Sequence, residues 1–155
     1  MDSVIIFCAK YLFVLVPLLF VLVWRQAGKR AKNQLVLALV TALVAAVILD
    51  KIGAKLYYDP RPFAQHGIKP LISHAADNGF PSEHTLFSVT IGAVMAFYRR
   101  RLGLLAIVIA LVVGIARVAA HVHSPVDIIG AALMGAAAGT VGYYFAKRIL
   151  MGTKA

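Results

Sequence analysis

Acidic residues and cysteine are the scarce components of this chain. Six Asp and Glu stand against sixteen Lys and Arg, charged residues make up 14% of the 155 positions, and 61% are hydrophobic. So little polar surface cannot coat a water-soluble globule of this size, which excludes a soluble enzyme. The same hydrophobicity excludes a disordered chain. The one cysteine, Cys8, lies inside an apolar run, so neither an intrachain disulfide nor a cysteine-based zinc site is available. The length corresponds to one domain, taken as residues 1–155.

Long apolar runs are what the sequence has instead. Crossing the hydrocarbon core takes about 20 apolar residues of helix. Runs at 4–24, 35–58, 83–98, 104–120 and 126–146 predict an all-α, polytopic membrane bundle of about five transmembrane helices. The first run does not read as a cleavable leader, because Asp2 precedes it, it is too long, and no small-residue cleavage site follows. Residues 59–80, with Pro60, Pro62, Gly67, Pro70 and Gly79, predict an irregular loop. Gly and Ala between 130 and 142 suit close helix packing.

The formal charge of +10 is distributed unevenly. Arg25, Lys29, Arg30 and Lys32, then Arg99, Arg100 and Arg101, then Lys147, Arg148 and Lys154 account for ten of the sixteen basic residues. All fall in alternate connections, as the positive-inside rule requires of cytoplasmic segments. The excess is therefore topogenic, and no nucleic-acid partner is expected. Five spans place the N-terminus and the 59–80 loop outside and the C-terminus in the cytoplasm. Within the apolar runs, Lys10 is expected to snorkel outward and Asp50 to pair with a base on a neighbouring helix.

The remaining ionisable residues converge on the outer ends of these helices. Arg61, Ser82, Glu83, His84, Arg117, His121, His123 and Asp127 all fall at that level. Ionisable groups at membrane depth are costly and mark functional sites by default. Pro81-Ser82 before an apolar run forms a helix start with Ser82 as N-cap, where free N–H groups beside Ser82 and His84 make an anion site. In His123-Ser-Pro-Val-Asp127, Asp127 can bond one imidazole nitrogen and leave the other free as nucleophile or base. Alternatively, Ser124, Pro125 and Asp127 are the N-cap, N1 and N3 residues of the last helix, and Asp127 is a cap. Arg61, held between Pro60 and Pro62, and Arg117 add guanidinium forks that match phosphate bidentately. The missing partner is a polyanionic group.

Taken together, three stretches resemble the signature of the type 2 phosphatidic acid phosphatase (PAP2) superfamily. They read Lys55-Leu-Tyr-Tyr-Asp-Pro-Arg61-Pro62, Pro81-Ser82-Glu83-His84, and Arg117 followed after five residues by His123 and after three more by Asp127. The short chain, the acid within Pro-Ser-x-His and the Tyr57-to-Phe63 run are most similar to the bacterial undecaprenyl-diphosphatase branch. The resemblance implies a PAP2-type core in which His123 attacks phosphorus to give a phosphohistidine, Asp127 orients it, and His84 protonates the leaving oxygen and later activates water. It assigns phosphate binding to Arg61, Ser82, Arg117, Lys55 and Glu83, with no metal and no cofactor. It further implies a lipid diphosphate substrate in the bilayer, the bacterial cytoplasmic membrane with the site facing outward, and recycling of the cell-wall lipid carrier. Three positions depart from the pattern. Ala54 stands where the family has its Lys, with Lys55 and Lys51 flanking it; Glu83 replaces a common Gly; Ala116 replaces a common Ser.

Other readings remain at this stage. A glycerolipid phosphatase acting on phosphatidylglycerol phosphate or phosphatidate would carry the same motifs. A metal site could draw on His121, His123 and Asp127, with His66 and His74 nearby, although two arginines would repel a divalent cation. A non-enzymatic helical assembly protein would leave the polar cluster without a purpose.

Overall fold

The computed structural model describes residues 1–152, so Lys154 lies outside the described residues. The elements are α1 (Asp2–Lys10), a 3-10 turn (Leu12–Val14), α2 (Leu15–Gln26), α3 (Lys29–Leu56), α4 (Pro62–His66), α5 (Glu83–Tyr98), α6 (Arg100–Ala119) and α7 (Pro125–Gly152). Among the described residues there is no strand, only an isolated bridge between Pro60 and Asn78.

Among the described residues, four segments are long and apolar enough to cross a membrane: Asp2–Gln26, Lys29–Leu56, Arg100–Ala119 and Pro125–Leu150. The fifth expected helix, α5, begins and ends as predicted but has 16 residues. It is the most enclosed helix, packed against α3, α6 and α7. Its buried Thr90 hydroxyl donates to the Leu86 carbonyl at 2.8 Å, which satisfies a polar group that lipid could not.

The predicted 4–24 run is one span by length and two helices by geometry. Pro17 has no N–H to offer the carbonyl of residue 13, and its ring crowds that carbonyl, so the chain tightens into the 3-10 turn just ahead of α2. Helix α3 starts at Lys29 rather than near 35, because its polar first turn is helical too. The 59–80 segment is not wholly irregular. Pro62 at the first helical position starts α4, and Gly67, at φ 63°, ends it in the left-handed conformation.

The small residues of α7 let helices approach closely. A Cβ on Gly135 would lie 2.7 Å from the Leu86 carbonyl oxygen, and one on Gly139 would lie 3.0 Å from that of Thr90. Outward, Leu18, Val40, Val108, Ile115 and Leu133 are all exposed, which suits a surface facing lipid and not water. Because α3 and α6 run toward the end where α5 and α7 begin, four helix termini and the 57–82 segment meet there.

Candidate active site

The site is built from helix termini joined by a polar network. Asn78 uses its whole side chain as the clamp. Its Nδ2 donates to the Ala54 and Tyr57 carbonyls at 3.1 and 3.0 Å, which satisfies the open end of α3. Its Oδ1 accepts from the Asp59 and Phe80 amides at 2.9 and 3.0 Å. The loop is further tied down by Ile72, buried against Ala116, Ala120 and Val122 of the α6 end, and by the Leu71 amide donating to the Ala120 carbonyl at 3.2 Å.

At the start of α7 the cap and the orienting role of Asp127 coincide. One oxygen, Oδ2, accepts from the Ser124 amide at 2.9 Å and lies 3.0 Å from His123 Nδ1. The Ser124 hydroxyl in turn bonds the Asp59 carboxylate. Both partners of the imidazole–carboxylate pair are buried, His123 at 3% and Asp127 at 1% exposure. Gly79 permits this closeness: a Cβ there would lie 2.7 Å from Asp127 Oδ2 and 3.1 Å from the Asp59 carbonyl.

On its other side, His123 Nε2 is 3.4 Å from Arg61 Nη1. A guanidinium only donates, so the assignment consistent on both sides has Nδ1–H donating to Asp127 and a lone pair on Nε2. Burial, followed by the charges of Arg117 and Arg61, holds the His123 pKa below its usual range, with the Asp127 hydrogen bond opposing. The imidazole is therefore neutral near pH 7 and its Nε2 is available.

Arg61, buried at the start of α4, is heavily engaged. Its Nε donates to Asp77 Oδ1 at 2.7 Å, its Nη1 to the Val122 carbonyl at 2.8 Å, and its Nη2 to the Asn78 carbonyl at 3.4 Å. The same contact lowers the Asp77 pKa. Arg117 is buried under the site, with Nη1 donating to the Ala9 carbonyl at 3.3 Å and Nε without a partner among the described residues.

A cavity of about 260 Å³ opens over His123. Arg61, His74, Asp77, Asn78, Glu83, His84, Asp50, Lys51 and Ala54 line it. Expected Arg61, His84, Glu83 and His123 thus all line this cavity, whereas Ser82, Arg117 and Asp127 are buried and do not line it.

Two expectations are corrected. Lys55 is exposed and is not among the lining residues, whereas Ala54 and Lys51, three apart and on one face of α3, both are. Lys51 Nζ pairs with Asp50 Oδ2 at 3.0 Å, so the partner of Asp50 is its neighbour in sequence and not a base on another helix. Ser82 holds the N-cap position of α5 but makes no side-chain cap bond; its Oγ accepts from the Thr85 hydroxyl at 3.3 Å. The Ser82 side chain therefore leaves the first-turn amides of α5 open, the arrangement that can receive an anion.

His121 takes φ 62° and is not among the lining residues. His84 meets the ring of Phe13 edge-on at 4.8 Å between centroids. Together with Glu83 it also lines an adjoining groove of about 260 Å³ whose other walls are Phe13, Pro17, Phe87, Ser88 and Ile91. Sequence reasoning missed Asn78, Asp77, Gly79 and Asp59. As polar or small residues in a loop they carried only the signal of a turn.

The sequence profile of the PAP2 superfamily matches residues 34–150, which contain Arg61, Ser82, His84, Arg117, His123 and Asp127. The chain belongs to the PAP2 superfamily. Among curated PAP2-like relatives, it is similar to undecaprenyl-diphosphatase BcrC of Bacillus subtilis, 29% identical over 145 residues, which are 94% of this chain and 75% of that protein. The bacitracin transport permease protein BcrC of Bacillus licheniformis is 34% identical over 151 residues, 96% of this chain and 73% of that one. The putative undecaprenyl-diphosphatase YbjG of Escherichia coli is 36% identical over 136 residues, 87% and 68% of the two chains. The crystal structure of Aquifex aeolicus LpxE superposes with a TM-score of 0.68 at 24% identity, covering 92% of this chain and 85% of that one, and so shares the PAP2 fold.

Proposed function

We propose that this PAP2 protein is a phosphatase that hydrolyses a polyprenyl diphosphate, of the undecaprenyl class, to the monophosphate and inorganic phosphate. The observation that carries the reading is the buried Asp127–His123 pair, whose second nitrogen faces a cavity walled by Arg61 and His84. His123 Nε2 attacks the terminal phosphorus, forming a P–N bond as the P–O bond to the lipid phosphate breaks. His84, protonated once the charge of the bound diphosphate lies beside it, gives the leaving oxygen its proton, then takes one from the water that cleaves the phosphohistidine and frees His123. Arg61, Arg117, Ser82 and the α5 amides stabilise the phosphoryl charge, Arg117 and Ser82 from buried positions. The apolar groove that shares His84 with the cavity suits the prenyl tail and sets the lipid-side phosphate next to the proton donor.

The relatives named undecaprenyl-diphosphatase favour this substrate over a glycerolipid phosphate. The distribution of basic residues favours a site on the extracytoplasmic side, and the bacterial relatives favour a cytoplasmic membrane. No side chain in this scheme requires a metal.

The test is phosphate release by detergent-purified protein from undecaprenyl diphosphate and from phosphatidylglycerol phosphate, with and without EDTA. The diphosphate is expected to be the better substrate, EDTA to have no effect, and His123→Ala to lose activity on the order of 10⁴-fold or more. Because His123 is nucleophilic only when neutral, and its pKa is depressed, wild-type activity should persist into mildly acidic pH and fall below that. EDTA sensitivity, or an active His123→Ala, would refute the mechanism.

A further inference from the structure

His74 belongs to none of the three family stretches, yet it stands in the same cavity. Its ring is 6.2 Å from that of His123, at an interplanar angle of 71°, and lines the wall with Arg61 and His84. The backbone on either side is pinned. Ile72 is buried against the α6 end, and Asp77 and Asn78 bond Arg61 and the end of α3. A loop histidine held this firmly would, in a purely structural role, have its ring nitrogens satisfied. Instead its Nδ1 is enclosed with no hydrogen-bond partner among the described residues.

Donors for a phosphoryl group are also fewer than the sequence suggests. Arg61 has committed its Nε to Asp77 and Nη1 to the Val122 carbonyl, and Arg117 has committed Nη1 to Ala9. A phosphoryl group brings several acceptor oxygens, and the donors left free by Arg61 and Arg117 do not meet all of them.

We propose that His74 is a phosphate-binding residue of this site, its imidazole closing the loop side of the cavity and donating to a non-bridging oxygen of the terminal phosphoryl group while His123 attacks. The inference rests on the phosphatase reading and extends it: the 67–80 segment supplies a third histidine to the headgroup. The ionisable groups that share this cavity or act on this ring are Arg61 at the start of α4, Arg117 on α6, His123 before α7, His84 and Glu83 on α5, Asp50 and Lys51 on α3, and Asp77 on its own loop. Burial first, then the two arginines and His123, lower its pKa, and Asp77 opposes. The free ring is neutral, and a bound phosphate anion raises its pKa. Phosphate binding therefore takes up a proton at His74, and affinity falls as pH rises through that interval.

The experiment compares wild type, His74→Asn and His74→Ala in detergent. KM and kcat are read for a polyprenyl diphosphate, together with the inhibition constant of inorganic phosphate, between about pH 6 and 8. His74→Ala should raise both KM and the phosphate inhibition constant about tenfold or more, lower kcat less, and flatten their pH dependence. His74→Asn should recover part of the affinity through its amide donor but not the pH dependence. Unchanged KM and inhibition constant, or loss confined to kcat, would overturn the proposal. So would an affinity loss that tracks a lowered unfolding temperature in both variants, which assigns His74 to the fold. If wild type hydrolyses no lipid phosphate, the functional reading fails on its own, and direct binding of inorganic phosphate to wild type and His74→Ala, by calorimetry, still decides the role of His74.

Discussion

At the end of the bundle where α2 turns into α3 and α5 into α6, Arg25, Lys29, Arg30, Arg99, Arg100 and Arg101 are all exposed. Their contacts are peripheral. Lys32 lies 4.8 Å above the Trp24 ring, Lys147 lies 5.8 Å from that of Tyr143, and Phe97 stacks on Tyr143 at 4.0 Å. The cavity there is larger, about 440 Å³, and its walls are Trp24, Val36, Leu37 and Val40 together with Lys29, Lys32 and Asn33. At the other end, Asp50, Arg61, Ser82, Arg117, His123 and Asp127 are buried. The buried side-chain atoms without a partner among the described residues, His74 Nδ1, Arg117 Nε and Asp127 Oδ1, all belong to that end. One end leaves its charges in water, where they cost little and set orientation. The other withdraws them, which is tolerable only where they meet each other or an incoming anion.

Substitutions can break or sharpen that contrast. The largest effect after removal of His123 itself is expected from Asp127→Asn. Asn at this third helical position keeps a side-chain oxygen for the Ser124 amide, so α7 should lose no more than about 1 kcal/mol while kcat falls on the order of 10³- to 10⁴-fold through the wrong tautomer of His123. A melting temperature that falls while kcat holds would reduce Asp127 to a cap.

Gly79→Ala comes next. The added methyl meets the Asp127 carboxylate and the Asp59 carbonyl, and displacing the pair by a fraction of an ångström should lower kcat about 100-fold with little change in KM. Lys51→Ala should raise KM for the diphosphate about tenfold, and Lys55→Ala by clearly less, because Lys51 reaches the cavity and Lys55 does not. The reverse order would favour Lys55 as the base that serves the motif position at Ala54. Smallest is Arg100→Gln at the opposite end, which should change stability by no more than about 0.5 kcal/mol and leave turnover as it was. A loss of activity there would mean that the two ends are coupled.

How much of the site was legible follows from these cases. His84 and His123 announced themselves because an imidazole beside a membrane helix has no structural reason to be there. Asp127 left two readings open, cap or partner, and the fold makes one oxygen serve both. Lys55, taken as the base next to the motif position at Ala54, lies off the cavity, because nearness in sequence does not say which face of α3 turns inward. Asn78 was invisible, since its value lies in bonding Ala54 and Tyr57 more than 20 positions back in the chain.

By itself the sequence determined the apolar spans, the end that carries the basic residues, and the residue types able to hold and attack a phosphate. These follow from transfer free energies and side-chain chemistry, which act locally along the chain. Only the tertiary structure decided which lysine faces the cavity, that Pro17 breaks the first span, that Asp77 engages Arg61, and that a loop histidine joins the other two. Each depends on where distant segments meet, and hydrogen bonds and burial are properties of that meeting and not of any one stretch of sequence.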